Sequence, residues 1–503
     1  MRERTLRSFL QVLVVSFGVF LSVGVMHGQG ATPASAPNAP PVRRAGTPLA
    51  SRAKACATCI RGHMEFLASD ALRGRGSATH DELVAATYVA ALLRAYGIDP
   101  AGGDGGYLQK APLVQPKFNS APALKFSKPA AGAQTAEDVV WTHGKEMLVL
   151  YLSKPEFAGP LARMDSEAKD AKVPSGSVVV VTGTNDEKLQ GAVSNAVSQG
   201  AAGVIVPASA NAKAHWDARG QKLPNLAPRL EGEKESAGLG GGDFNVVALN
   251  EDVFKALKNV PDGTAVKFSG DLAAVEKSYT WNAVGILRGS SKVLGKQAIL
   301  LTAHLDHLGV GRAVKGDDIY NGADDDASGT TAVLELARAL ASGPKPRRTV
   351  VFALFGSEES GGLGSSYFLQ HPPVPLTDIV ANLEFEMIGR PDPKYPKDDL
   401  WLSGWERSNL GPTLAAHGAK LVADARPDQH FFERSDNYVL AKKGVVAQTA
   451  SSFGLHEDYH QPSDDVAHID FKHMTGAIQS LIGPVQWLVN SSFVPAWVKG
   501  GKP

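Results

Sequence analysis

The residues able to do chemistry fall between 304 and 460. The aliphatic run QAILLTA leads directly into His304-Leu305-Asp306. A neutral imidazole is a good metal ligand, and its second nitrogen is commonly held by a carboxylate. The segment NGADDDASG follows, with Asp324, Asp325 and Asp326 in succession. Three adjacent carboxylates repel one another unless a cation or a helix N-terminus offsets them. The run TVVFALFG ends in Ser357-Glu358-Glu359, a pair of carboxylates that can divide the work of holding a metal and moving a proton. NLEFEMIG carries Glu384 and Glu386 on one face of a strand, and HEDYHQPSDD brings His456 and His460. Taken singly, these features read as a structural histidine, a solvated turn and surface glutamates. Taken together, all lie at or just past expected strand ends. Nitrogen and oxygen donors without a thiolate favour zinc; manganese or cobalt also suits them.

Strands and helices must alternate to place these residues. QAILLTAH, TVVFALFG, DIVANLEFEMIG and GVVAQTAS read as strands, TTAVLELARAL and GPTLAAHG as helices. MTGAIQSLIGPVQWLVNSS reads as a closing helix interrupted at Gly483 and Pro484. Such alternation implies an α/β fold: a mixed, largely parallel central sheet with helices on both faces and its ligand site at the carboxyl ends of the strands. Further helices are expected over 56–69 and 81–96, the second ended by Gly97. The character changes near 135–275, where SGSVVVVTG and GAAGVIV read as short buried strands of an inserted β-rich domain. The expected division is 53–134 with 276–497 for the catalytic unit and 135–275 for the insertion.

Arg2, Arg4 and Arg7 precede an apolar run from Phe9 to Val25, then small residues, the layout of a secretory signal over 1–30. Residues 31–52, rich in Ala and Pro, read as a tether. A secreted or periplasmic protein with no membrane span in its mature chain is expected. Cys56 and Cys59 are the only cysteines and suit a local disulfide in an exported chain. Lys plus Arg equals Asp plus Glu at 51 each, so no basic excess points to a nucleic-acid partner.

AHLDHLG, IYNGADDDASGTTAVLELARAL, FGSEESGGLGSSYF, NLEFEMIGR and DYHQPSDD closely resemble family 28 of the metallopeptidases, and HMEFLASDALRGRGSATHDELVAATYVAALL resembles the opening of its catalytic domain. The resemblance implies a secreted exopeptidase with two zinc ions, an aminopeptidase acting on peptides. It makes His304 and Glu386 ligands of one zinc, Glu359 and His460 ligands of the other, and Asp324 the bridge, with a cis Asp324–Asp325 peptide. Asp306 would orient His304, and Glu358 would be the general base and acid. The family usually has Asp where Glu386 stands; Glu384 is the rival ligand on that strand face. GSVVVVTGTNDEKLQGAVSNAVSQGAAGVIV resembles the protease-associated domain that several members carry. Alternatives on the same scaffold are a carboxypeptidase or dipeptidase, a glutaminyl cyclase, and a non-catalytic binding module.

Overall fold

The computed structural model describes residues 54–127, 138–168, 171–183, 186–233, 245–273 and 275–503. The secretory signal and tether expected over 1–52 lie outside the described residues. No described helix is long and apolar enough to cross a membrane.

The unit that carries the candidate residues is built on a ten-stranded sheet. Its principal strands are β1 (Leu108–Gln115), β2 (Glu276–Leu287), β3 (Ala298–His304), β4 (Thr349–Phe355), β5 (Ile379–Phe385) and β6 (Ala447–Ser451). The spatial order β6-β5-β3-β4 is parallel throughout, and β2 and β1 continue it antiparallel beyond β4. The sheet is therefore mixed, and it is parallel where the candidate residues lie.

All seven residues of β3 and of β4 are buried, as strands covered on both faces must be. Ile299, Leu301 and Ala303 pack against α1 (Ala57–Leu67), α2 (His80–Ala95), α3 (Gly329–Ser342) and α4 (Phe471–Asn490). Ala298 and Leu300 face the other way, toward Phe368 and Leu440 on two shorter helices. Cys56 caps α1, its sulfur accepting from Cys59 N at 3.2 Å, and the two cysteines form a disulfide.

Two expectations change here. α4 runs unbroken through Pro484. Proline in a helix interior costs ~3 kcal/mol, and the fully buried Leu481, Val485 and Leu488 on the same helix outweigh it by packing into the main core. The insertion also begins earlier than residue 135. The strand Ala123–Ser127 pairs antiparallel with Ala265–Ser269 in a separate eight-stranded sheet. That pairing decides it, and Leu124 and Phe126, alternating along the strand, point into the second core. A two-residue strand of the insertion, Arg229–Leu230, returns to pair with β1 at the edge of the main sheet.

One buried side chain ties the segments beneath the site together. Arg75 is wholly buried, and its guanidinium donates to the carbonyls of Leu305 (2.9 Å), Leu67 (2.5 Å), Asn321 (2.6 Å) and Gly322 (2.9 Å). Each buried carbonyl left without its donor costs ~1–3 kcal/mol. Arg75→Leu is expected to lower the unfolding free energy by at least ~3 kcal/mol, read from urea denaturation followed by circular dichroism. A loss below ~1 kcal/mol would show that the carbonyls find other partners.

Candidate functional site

Four parallel strands deliver the site from one edge of the sheet. β3 ends at His304, and the turn that follows is pinned by Leu305 N to Phe355 O (2.8 Å) and His307 N to Arg75 O (3.1 Å). β4 runs out into Glu358 and Glu359. Asp306, wholly buried, accepts from Glu358 N (3.0 Å), Glu359 N (3.4 Å) and the Ser77 hydroxyl (2.6 Å). Its Oδ1 also lies 3.7 Å from His304 Nδ1. One carboxylate thus fixes the ends of two neighbouring strands against each other.

The three successive aspartates face different ways. Asp324 Oδ1 accepts from Gly389 N (2.7 Å), and its Oδ2 lies 3.0 Å from His456 Nε2. Asp326 accepts from Gly329 N (2.9 Å) at the start of α3 and from Met387 N (3.1 Å). Asp325 is extended (φ −105°, ψ 98°), so its side chain projects away from both neighbours. Gly322 permits the turn, because a Cβ there would stand 2.2 Å from Asp325 O and 2.4 Å from His307 Cγ. Asp464 holds the loop from the far side, its carboxylate accepting from Asp324 N (2.9 and 3.1 Å) and Asp325 N (3.0 Å).

Asp325 stands at the centre of two donor clusters. On one side its Oδ1 lies 3.1 Å from His304 Nε2, and Glu386 completes a group whose ligand-capable atoms lie within 4.8 Å of one another. On the other side His460 Nε2 lies 3.2 Å from Asp325 Oδ2 and 3.3 Å from Glu359 Oε2. His307 Nδ1 enters this second side, 2.8 Å from Glu359 Oε1.

These contacts are close, yet they are not hydrogen bonds. Both ring nitrogens of His304, His307 and His460 are buried without an aligned partner, as are Asp325 Oδ1 and Glu359 Oε1. Atoms that face a common cation show this signature. Bonds of ~2.0–2.1 Å at ~90–109° set ligand atoms ~2.9–3.4 Å apart, so the donor set fits a divalent cation on each side of Asp325.

The electrostatics agree. Burial alone would raise the Asp325 carboxyl, but His304 and His460 together hold it well below the usual range. Burial lowers His460, yet Glu359 and Asp325 lift it to about 10. A field negative enough to keep a proton on a buried imidazole also attracts a metal ion. Burial pushes Glu358 well above the ordinary carboxylate range. Glu358 belongs to neither donor cluster, and it lines a cavity with Asp325, Glu359 and Glu386. Trp401, Phe431, Phe453 and Tyr459 form the apolar part of that cavity, with Arg434 beside them. Tyr459 stacks on His460 at 3.9 Å.

The structure corrects the placement of the bridge. Asp324, given that position from the sequence, is turned to the backbone of Gly389; Asp325 occupies the place between the clusters. The cis peptide joins Asp325 to Asp326, not Asp324 to Asp325. His304, Glu359, Glu386 and His460 meet around Asp325, with Asp306 and Glu358 adjacent. Glu384 does not join them; it accepts from Asn437 N (2.7 Å) and the Thr449 hydroxyl (2.8 Å) inside the sheet. His307 is the residue that sequence reasoning passed over, although it lies in the same turn as His304.

Comparison with known proteins gives the same reading, with residues 282–482 matching peptidase family M28. The matching segment makes up about two fifths of the chain. It contains all seven residues named from the sequence. An aminopeptidase of Pseudomonas aeruginosa (strain UCBPP-PA14) is 31% identical over 240 residues, covering 47% of this chain and 39% of that protein. Aminopeptidase YwaD of Bacillus subtilis (strain 168) is 24% identical over 290 residues, covering 56% and 57%. The chain thus spans about four tenths of the first of these relatives and under six tenths of the second. Among solved structures, an aminopeptidase from Aneurinibacillus sp. strain AM-1 superposes with a TM-score of 0.51 at 18% identity, over 88% of this chain and 96% of that one, and shares the fold.

The distinct orientations of the aspartates make them separable. Asp325→Asn is expected to abolish tight zinc binding on both sides, whereas Asp324→Asn keeps it, since an amide oxygen still accepts from Gly389 N. Equilibrium dialysis with elemental analysis reads this; the reverse result would restore Asp324 as the bridge.

Proposed function

We propose that this chain is an exported zinc-dependent aminopeptidase that removes N-terminal residues from peptides. The observation that carries the reading is the pair of donor clusters sharing Asp325, with Glu358 free beside them at the same cavity. His304, Asp325 and Glu386 would hold one zinc, and Asp325, Glu359 and His460 the other. Bound there, zinc ions supply a water acidic enough to act as nucleophile near neutral pH and positive charge opposite the developing oxyanion.

The remaining steps belong to the protein's own groups. Glu358 Oε takes the proton from the water that attacks the scissile carbonyl carbon, then passes it to the leaving nitrogen as the C–N bond breaks. Its backbone is fixed for this by Asp306 and by Glu358 O accepting from Gly361 N (2.8 Å) and Gly362 N (2.9 Å). Trp401, Phe431 and Phe453 form an apolar wall that suits an apolar first residue and keeps water away. With Asp325, Glu359 and Glu386 holding the zincs, Glu358 is the lining carboxylate left free to face a substrate's ammonium end. The names of the Pseudomonas and Bacillus relatives support the same choice. The Cys56–Cys59 disulfide and the basic-then-apolar N-terminus support export to an oxidising compartment.

A library of short peptides, half of them N-acetylated, tests this by mass spectrometry with and without chelator. Stepwise N-terminal loss from the free peptides alone, abolished by chelator and restored by zinc, is expected. Loss from C-termini would instead make Arg434 a carboxylate anchor and the protein a carboxypeptidase. Glu358→Gln is expected to retain zinc and to lose ~10²–10⁴-fold in kcat; an undiminished rate would remove Glu358 from the role of base.

A further inference from the structure

We propose that His307 is a fourth protein ligand of the cation held by Asp325, Glu359 and His460. That position is then closed by the protein, while the His304–Asp325–Glu386 position keeps an open place. The inference rests on the two-cation reading above and adds to it an asymmetry between the two positions.

His307 is fully buried, and its Nδ1 lies 2.8 Å from Glu359 Oε1 and 4.0 Å from Asp325 Oδ2. The shorter contact is within hydrogen-bonding distance, but neither Nδ1 nor Glu359 Oε1 has an aligned hydrogen bond. It shares this with His304 Nε2 and His460 Nε2, whose partners lie 3.1–3.3 Å away. A donated hydrogen bond would point the N–H along the line to the oxygen. Two ligands of one ion instead point at the ion, off that line, as here.

The ring has little freedom to turn elsewhere. Its backbone N is bound to Arg75 O, and its Cγ packs where a Cβ on Gly322 would stand 2.4 Å away. The His307 and His460 rings are edge-to-face, with centroids 5.6 Å apart at 72°, so two imidazoles reach the same carboxylate from different directions.

The donor count separates the two sides. His307, Asp325, Glu359 and His460 supply four protein donors, the number that fills a structural zinc site. His304, Asp325 and Glu386 supply three, the number found where one place is left for water or substrate. The open side is therefore where the substrate's oxygen or amine is received, and the closed side retains its ion more tightly.

The test is a zinc titration against a competing chelator, comparing the full-length protein with His307→Ala. Wild type is expected to bind two ions of unequal affinity. His307→Ala is expected to weaken the tighter one at least ~10-fold and leave the other unchanged. Wild-type affinity for both ions in His307→Ala would overturn the proposal. X-ray absorption at the zinc edge of wild-type protein loaded with one equivalent gives an answer that needs no variant to fold. Two imidazoles per zinc support the closed site, and one imidazole contradicts it. A wild-type protein that binds no zinc would overturn the two-cation reading itself, whereas failure in His307→Ala alone overturns only the role of His307.

Discussion

Asp325 is a carboxylate withdrawn almost completely from water, and burying such a charge is unfavourable by several kcal/mol unless opposite charge meets it. His304 and His460 meet it from opposite sides, with Glu359, Glu386 and Glu358 crowded close behind. The nearby carboxylates outnumber the imidazoles, and the imidazoles' nitrogens have no aligned hydrogen bonds. A divalent cation on each side of Asp325 removes both difficulties at once. It neutralises the carboxylates and gives the lone pairs a partner. The rest of the site follows from that constraint.

The fold meets it by bringing chain ends together, and the fixing of those ends accounts for many of the buried polar groups nearby. The parallel strands β3, β4 and β5 end on one side, which puts His304, Glu359 and Glu386 within reach of a common point. Asp306 clamps the exits of β3 and β4, Asp464 clamps the Asp324–Asp325 backbone, and Arg75 gathers the carbonyls underneath. None of these three is a ligand in either donor cluster. Their contribution is to hold the donors still.

The sequence carried the strand–helix alternation clearly, because aliphatic runs ending in charged residues leave few other readings. The structure sets Glu386, and not Glu384, beside His304 and Asp325. What the sequence did not carry was direction within Asp324-Asp325-Asp326. Three identical side chains give no periodicity to read, and which one faces the histidines is decided by the amides of Gly389, Met387 and Gly329, distant in sequence. His307 was missed for a related reason: past the strand end, alternation no longer predicts where a side chain points, and Arg75 and Gly322 settle it through tertiary packing. The start of the insertion was misplaced because Leu124 and Phe126 alternate as any half-buried strand would, and only pairing with Ala265–Ser269 assigns them to the second sheet.

Asp325 is expected to lie between two metal ions. The most direct measurement is a crystal structure of the zinc-loaded protein with anomalous diffraction at the zinc edge. Two anomalous peaks ~3.5–4 Å apart, one bonded to each oxygen of Asp325, are the predicted result. A single peak, or a pair that leaves Asp325 uncoordinated, would contradict the account.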